Sequence, residues 1–335
     1  MPPKRAKAGA KGSTSTKRKG PTRSKRSGTS RGDAPTLFSG ISAFTGGGAG
    51  SNGSGGSAGT ASGFFGDHSY LRLSTRPLYV LVFLLPLILF YEAAAAFHVI
   101  GGEGVEETIR ARRILADFFR VFDVGGIYLP GILVFVVLLL WQILTKDPWR
   151  IRGRVLWLML LEALVWTPPM LVLGQVLYKL MSGSIGAVPP VSAGLELLAA
   201  TVQGLGTADA GADYAARPLM ARAAIAVGAG LYEEMLFRMV GIALFHLILV
   251  DLIGMGQRKG TMLAVVLAAC AFAFYHDVTG SGAAAGVRWA DAGFYIFAGV
   301  YFGAVYVWRG FGVVVAVHAI YDLAVLVFLT RPPAP

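Results

Sequence analysis

One cysteine, Cys270, in 335 residues leaves no internal disulfide to staple the chain. Charge is scarce too: 15% of residues are Asp, Glu, Lys or Arg, against 55% hydrophobic. That balance excludes an ordinary soluble domain and places the chain among integral membrane proteins. Acids are missing altogether from residues 1–32, which carry basic residues from Lys4 to Arg31. The remaining 19 basic residues balance the 19 acids, so the whole formal charge of +11 sits in this tail. Nucleic acid is disfavoured as its partner, because no aromatic residue or folded module accompanies the charge. Residues 4–31 suit anionic lipid headgroups instead, at about 1 kcal/mol or less per basic residue. The tail also lacks the short apolar core of a signal peptide.

From about Gly40 to Gly66 the chain is dominated by Gly, Ser, Ala and Thr. Such a stretch buries too little apolar surface to offset its ordering entropy, so residues 1–69 are expected to be a disordered tail and linker. Residues 70–335 then form one transmembrane domain. Apolar segments of spanning length recur near 77–99, 125–145, 155–180, 221–250, 261–277, 291–308 and 311–330. The expected fold is all-α: a polytopic helical bundle of about seven spans, six to eight with boundary error. Leu195–Val202 reads as a short interfacial or re-entrant helix, and Ile114–Phe122 as an amphipathic surface helix. Pro168-Pro169 is expected to kink or break the third span. The basic tail, the cluster Lys146, Arg150, Arg152, Arg154 and the pair Arg258, Lys259 fall on one side of this count. The positive-inside rule makes that side cytoplasmic, together with the N-terminus. An Ala/Gly/Arg-rich, lysine-poor membrane domain has a bacterial character, which suggests a bacterial cytoplasmic membrane. Nothing in the sequence sets the oligomeric state.

Three charged residues interrupt the fourth apolar segment: Glu233, Glu234 and Arg238. Each ionised group near a bilayer centre costs roughly 2.5–3.5 kcal/mol even on the lenient insertion scale. Glu234 and Arg238 are four apart and share a helix face as an ion pair. Glu233 points about 100° away and is free to face something else. Two more apolar segments carry polar groups, His276 in one and His318 with Asp322 in the other. His318 and Asp322, also four apart, can address one point. A carboxylate and two imidazoles from three helices suffice to activate water. Glu233 or His276 could take its proton while His318 and Asp322 stabilise the developing charge. Alternatively Glu233, His276 and His318 could hold a metal with water in the open position. The duller reading treats the histidines as packing residues and Glu92 and Glu162 as protonated or paired. His246 points to the far side of its helix.

Glu233-Glu234-x-x-x-Arg238, Phe272-x-x-x-His276 and His318-x-x-x-Asp322 resemble, in order and separation, the motifs of the CPBP family of intramembrane proteases. This family includes the Rce-type CAAX prenyl endopeptidases and is also called the ABI family. The resemblance covers about residues 220–325, and the Phe237-Arg238 pair fits it. Met239 and Gly280 depart from the family's usual residues without touching a core position. The resemblance implies Glu233 as the catalytic glutamate and His276 as its partner on the water. It assigns His318 and Asp322 to oxyanion stabilisation, with Glu234 and Arg238 in support. It implies a membrane protein or lipidated peptide as substrate. The family carries a metalloprotease label, yet also accommodates a metal-independent Glu–His mechanism. Zinc on Glu233, His276 and His318, or no cofactor, both fit the residues, and no His-Glu-x-x-His motif is present. No Gly-x-Gly-Asp occurs for an aspartyl intramembrane protease, and the apolar region has no Gly-x-Ser-x-Gly. The rival expectations are a non-proteolytic scaffold or bacteriocin-immunity-like protein on the same fold and, with less support, a transporter; no internal repeat favours the last.

Overall fold

The computed structural model describes residues 68–100, 109–120, 129–181, 217–276, 278–280 and 286–329, all within the compact unit Leu37–Pro335. Residues 1–67 of the expected tail and linker lie outside the described residues, as does the segment 195–202. Over their described residues the seven apolar segments placed from the sequence are helical, up to Tyr275 in the fifth. A short helix α1 (His68–Ser74) precedes α2 (Pro77–Ile100), and the amphipathic α3 (Arg110–Arg120) follows. Next come α4 (Leu129–Thr145), α5 (Gly153–Met181) and the long α6 (Leu219–Leu252). After α7 (Gln257–Tyr275), a two-residue antiparallel ladder pairs Thr279 with Val287 and Gly280 with Gly286. The last two are α8 (Trp289–Arg309) and α9 (Phe311–Leu323), which continues as π-helical turns over Ala324–Leu329. Of the seven expected spans, five are long and apolar enough to cross a membrane among the described residues: α2, α5, α6, α7 and α9. α4 is apolar but shorter. α8 carries Asp291 and Arg309 at its two ends and is not among the five.

The double proline does not break its helix. α5 runs continuously from Gly153 to Met181 through Pro168 and Pro169. The two prolines leave the carbonyls of Leu164 and Val165 without their amide donors, while the flanking carbonyls of Ala163 and Trp166 accept from hydroxyls. Thr167 Oγ1 donates to the Ala163 carbonyl at 2.9 Å, and the Tyr301 hydroxyl donates to that of Trp166.

Small residues set how closely the helices approach, because lipid offers no hydrophobic drive for helix association. A Cβ on Gly230 of α6 would stand 2.8 Å from the backbone nitrogen of Ala319 in α9. One on Gly299 of α8 would meet the Ala269 Cα of α7 at 2.7 Å. These contacts bring α6 to backbone distance of α9 and α7 to that of α8; three of these four helices, α6, α7 and α9, carry the polar motifs. The sharp turn from α8 into α9 needs Gly310, whose φ of +83° lies in the left-handed region. Polar anchors hold the other helices. Arg309 of α8 pairs with Glu162 of α5, donating from Nη2 to Oε2 at 2.6 Å and from Nε to Oε1. The Tyr70 hydroxyl of α1 donates to the same carboxylate. Glu162 is therefore a paired buried acid, as the dull reading of it expected, and Glu92 accepts from the Tyr232 hydroxyl at 2.9 Å. Gln142 of α4 accepts from the Leu78 amide at 2.9 Å and so satisfies a free donor at the start of α2.

Gly230→Val should destabilise the fold by about 1–3 kcal/mol, because α6 and α9 must separate to admit the branched side chain. Gly153→Val, where nothing stands within 4 Å of an added Cβ, is the control and should leave stability nearly unchanged. Thermal unfolding in detergent of both variants measures the contrast.

Candidate active site

α6 presents its two adjacent glutamates in different directions, as the 100° step per residue requires. Glu234 turns inward and is fully buried. Its Oε1 lies 3.0 Å from Arg238 Nη1 and 2.6 Å from His318 Nδ1. One carboxylate oxygen thus joins a cation of its own helix to an imidazole of α9. Arg238 is itself buried, with its guanidinium carbon 4.4 Å from the ring centroid of Phe272 and 5.4 Å from that of Phe302. Desolvated cation–π contacts of this kind contribute about 2 kcal/mol or more. Phe302 also stacks on the His318 ring, 4.6 Å between centroids and 12° from parallel. The helix changes to π-type turns at Met235, directly after the glutamate pair. Wide turns of this sort recur at functional sites because they re-aim side chains.

Glu233 faces the other way, into a polar gap. Its Oε2 lies 3.8 Å from His276 Nε2 and 4.0 Å from His318 Nε2. Both separations exceed a direct hydrogen bond. Each imidazole reaches the gap with its other nitrogen engaged. His276 Nδ1 donates to the Phe272 carbonyl at 2.9 Å, since a carbonyl only accepts, which leaves Nε2 of the neutral ring as an acceptor. The His276 ring is further held by stacking on Tyr295, 3.9 Å between centroids. His318 Nδ1 is held by Glu234, and its Nε2 faces Asp322 Oδ2 at 3.4 Å as well as Glu233. Both nitrogens of His318 therefore face carboxylate oxygens, Nδ1 at hydrogen-bond distance.

The structure brings together all six residues singled out from the sequence: Glu233, Glu234, Arg238, His276, His318 and Asp322. His246 is held apart from them on Gln257, 2.9 Å away. For a metal, the available donors are Glu233 Oε2 and the two Nε2 atoms. Among the described residues, however, no three His, Cys, Asp or Glu side chains group closely enough to hold an ion. Sequence reasoning missed Tyr275, whose hydroxyl lies 3.2 Å from Glu233 Oε1, and the stacking rings of Tyr295 and Phe302. Tyr275 had a signal, being a polar residue directly before His276. Phe302 had none, because an aromatic residue in an apolar helix reads as lipid-facing or core.

The two glutamates should respond differently to the same isosteric change. Glu234→Gln leaves Arg238 buried without its counter-charge and should cost about 3–5 kcal/mol. Glu233→Gln, which faces no cation of the protein within ion-pair distance other than the histidines, should leave the unfolding temperature nearly unchanged. Parallel thermal melts of the two variants decide this.

Neither a curated protein nor a solved structure matches the chain. A family model does match, over about a third of its length, and it supports a membrane peptidase in general. Residues 215–324 are similar to the Rce1-like family, the type II CAAX prenyl endopeptidases, which is the family that the three motifs of α6, α7 and α9 resemble.

Proposed function

We propose that the protein is an intramembrane endopeptidase that hydrolyses a peptide bond of a membrane-associated, prenylated or otherwise lipid-anchored substrate by a water activated between Glu233 and His276. The observation that carries this reading is the convergence of two Nε2 atoms, from α7 and α9, on one oxygen of Glu233. Around that point the residues divide the chemistry. Water in the gap donates to Glu233 Oε2 and to the acceptor nitrogen of His276. Glu233 takes its proton as the water oxygen attacks the carbonyl carbon of the scissile bond. The carbonyl oxygen becomes an oxyanion, which accepts a hydrogen bond from His318 Nε2. Asp322 and Glu234 keep the His318 ring oriented with a proton to donate. The carbon–nitrogen bond then breaks, and the departing nitrogen takes the proton held by Glu233.

General-base help of this type is worth about 10²–10⁴-fold. One oxyanion donor adds about 10²–10³-fold. Together they account for an enzyme without a covalent intermediate. The buried ion cluster behind the gap supplies orientation and no reacting group.

On a farnesylated CAAX reporter peptide, Glu233→Gln should lower kcat by about 10²–10⁴-fold, and His318→Ala by about 10²–10³-fold. Purified protein in lipid nanodiscs and mass-spectrometric product detection make the comparison. Turnover by Glu233→Gln at the wild-type rate would end this assignment of the base.

A further inference from the structure

We propose that Tyr275 is a positioning residue that aims Glu233 at the water, and that the surface helix α3 holds Tyr275 in place to do so. The inference rests on the reading of Glu233 as the base and adds a partner outside the three motifs. The Ala111 amide at the start of α3 donates to the Tyr275 hydroxyl at 2.7 Å. An amide nitrogen cannot accept, so the hydroxyl's own proton is left to donate to Glu233 Oε1 at 3.2 Å. The chain of bonds has one direction, from the backbone of α3 to the carboxylate. It engages Oε1 and leaves Oε2, the oxygen that faces both histidines, for the proton of the water.

A second contact fixes the same residue from behind. Tyr275 closes α7, and a carbonyl in the last turn has no partner within its helix. Arg110 Nη1 donates to that carbonyl at 2.7 Å, and its guanidinium lies 5.5 Å from the Tyr275 ring centroid. A cation at a helix C-terminus is favourable on charge as well. The ring is wedged edge-on between Phe237, at 5.1 Å, and His276, at 5.0 Å. α3 reaches this position because α6 has a glycine where it lands. A Cβ on Gly228 would stand 2.2 Å from Ile109 Cδ1. Ile109, just before α3, and Ala111 and Leu115 within it are buried while Ile114 and Phe118 turn outward, so an amphipathic helix is tied through Tyr275 to the carboxylate.

Tyr275→Phe keeps the ring and its packing and removes only the donor. With the farnesylated reporter peptide, kcat should fall by about tenfold with KM unchanged, the loss of one hydrogen bond to a charged group. Infrared spectra of the protein in nanodiscs give a readout that a merely structural role would not move. The carboxylate stretch of Glu233, assigned by its disappearance in Glu233→Gln, should shift in Tyr275→Phe. It should shift in the same direction, by less, in Arg110→Gln, a change at an exposed position. An unmoved band in Tyr275→Phe overturns the proposal, and so does an activity loss confined to KM. Should Glu233→Gln retain turnover while the band still shifts, the assignment of the base fails and the tyrosine–carboxylate bond stands.

Discussion

Everything at the centre of this bundle depends on Glu234 remaining paired inside it. Two unit charges brought out of water are costly, and close pairing offsets part of that cost. Here one carboxylate oxygen meets the Arg238 guanidinium at 3.0 Å and the His318 imidazole at 2.6 Å. The aromatic faces of Phe272 and Phe302 close over the arginine. The same cluster that makes the charges tolerable in an apolar interior locks the rotation of the His318 ring. Stability and orientation come from one set of contacts.

That constraint leaves its neighbour at liberty. Because successive helical residues diverge by about 100°, burying Glu234 against α9 turns Glu233 toward the gap shared with His276 and His318. The close approach of α6 to α9 at Gly230 and of α7 to α8 at Gly299 keeps the gap narrow. Packing of small residues is thus part of the site's geometry, and Gly299 touches it through its carbonyl, 3.5 Å from Arg238 Nη2.

Much of this was legible before any coordinates. Apolar runs of spanning length marked the helices, and four-residue spacing marked Glu234 with Arg238 and His318 with Asp322 as facing pairs. Five of the seven expected spans meet the standard of length and apolarity among the described residues. A break at Pro168-Pro169 was one of two expected outcomes and does not occur, because α5 continues through both residues. Periodicity along one helix also says nothing about contacts between helices. Glu234 was readable as Arg238's partner, but its bond to His318, 84 residues away, was not. The tie from α3 to Tyr275 spans 164 residues and was invisible for the same reason.

The central claim is that the carboxylate in the gap performs hydrolysis, and cells test it most directly. Membrane-proteome termini should be compared in cells lacking the protein and complemented with wild type or Glu233→Gln at equal expression. The account predicts new peptide ends with wild type alone, and those ends name the substrate. Identical termini in the two strains, with both restoring the phenotype, would contradict it and leave a membrane scaffold that happens to carry a well-ordered polar core.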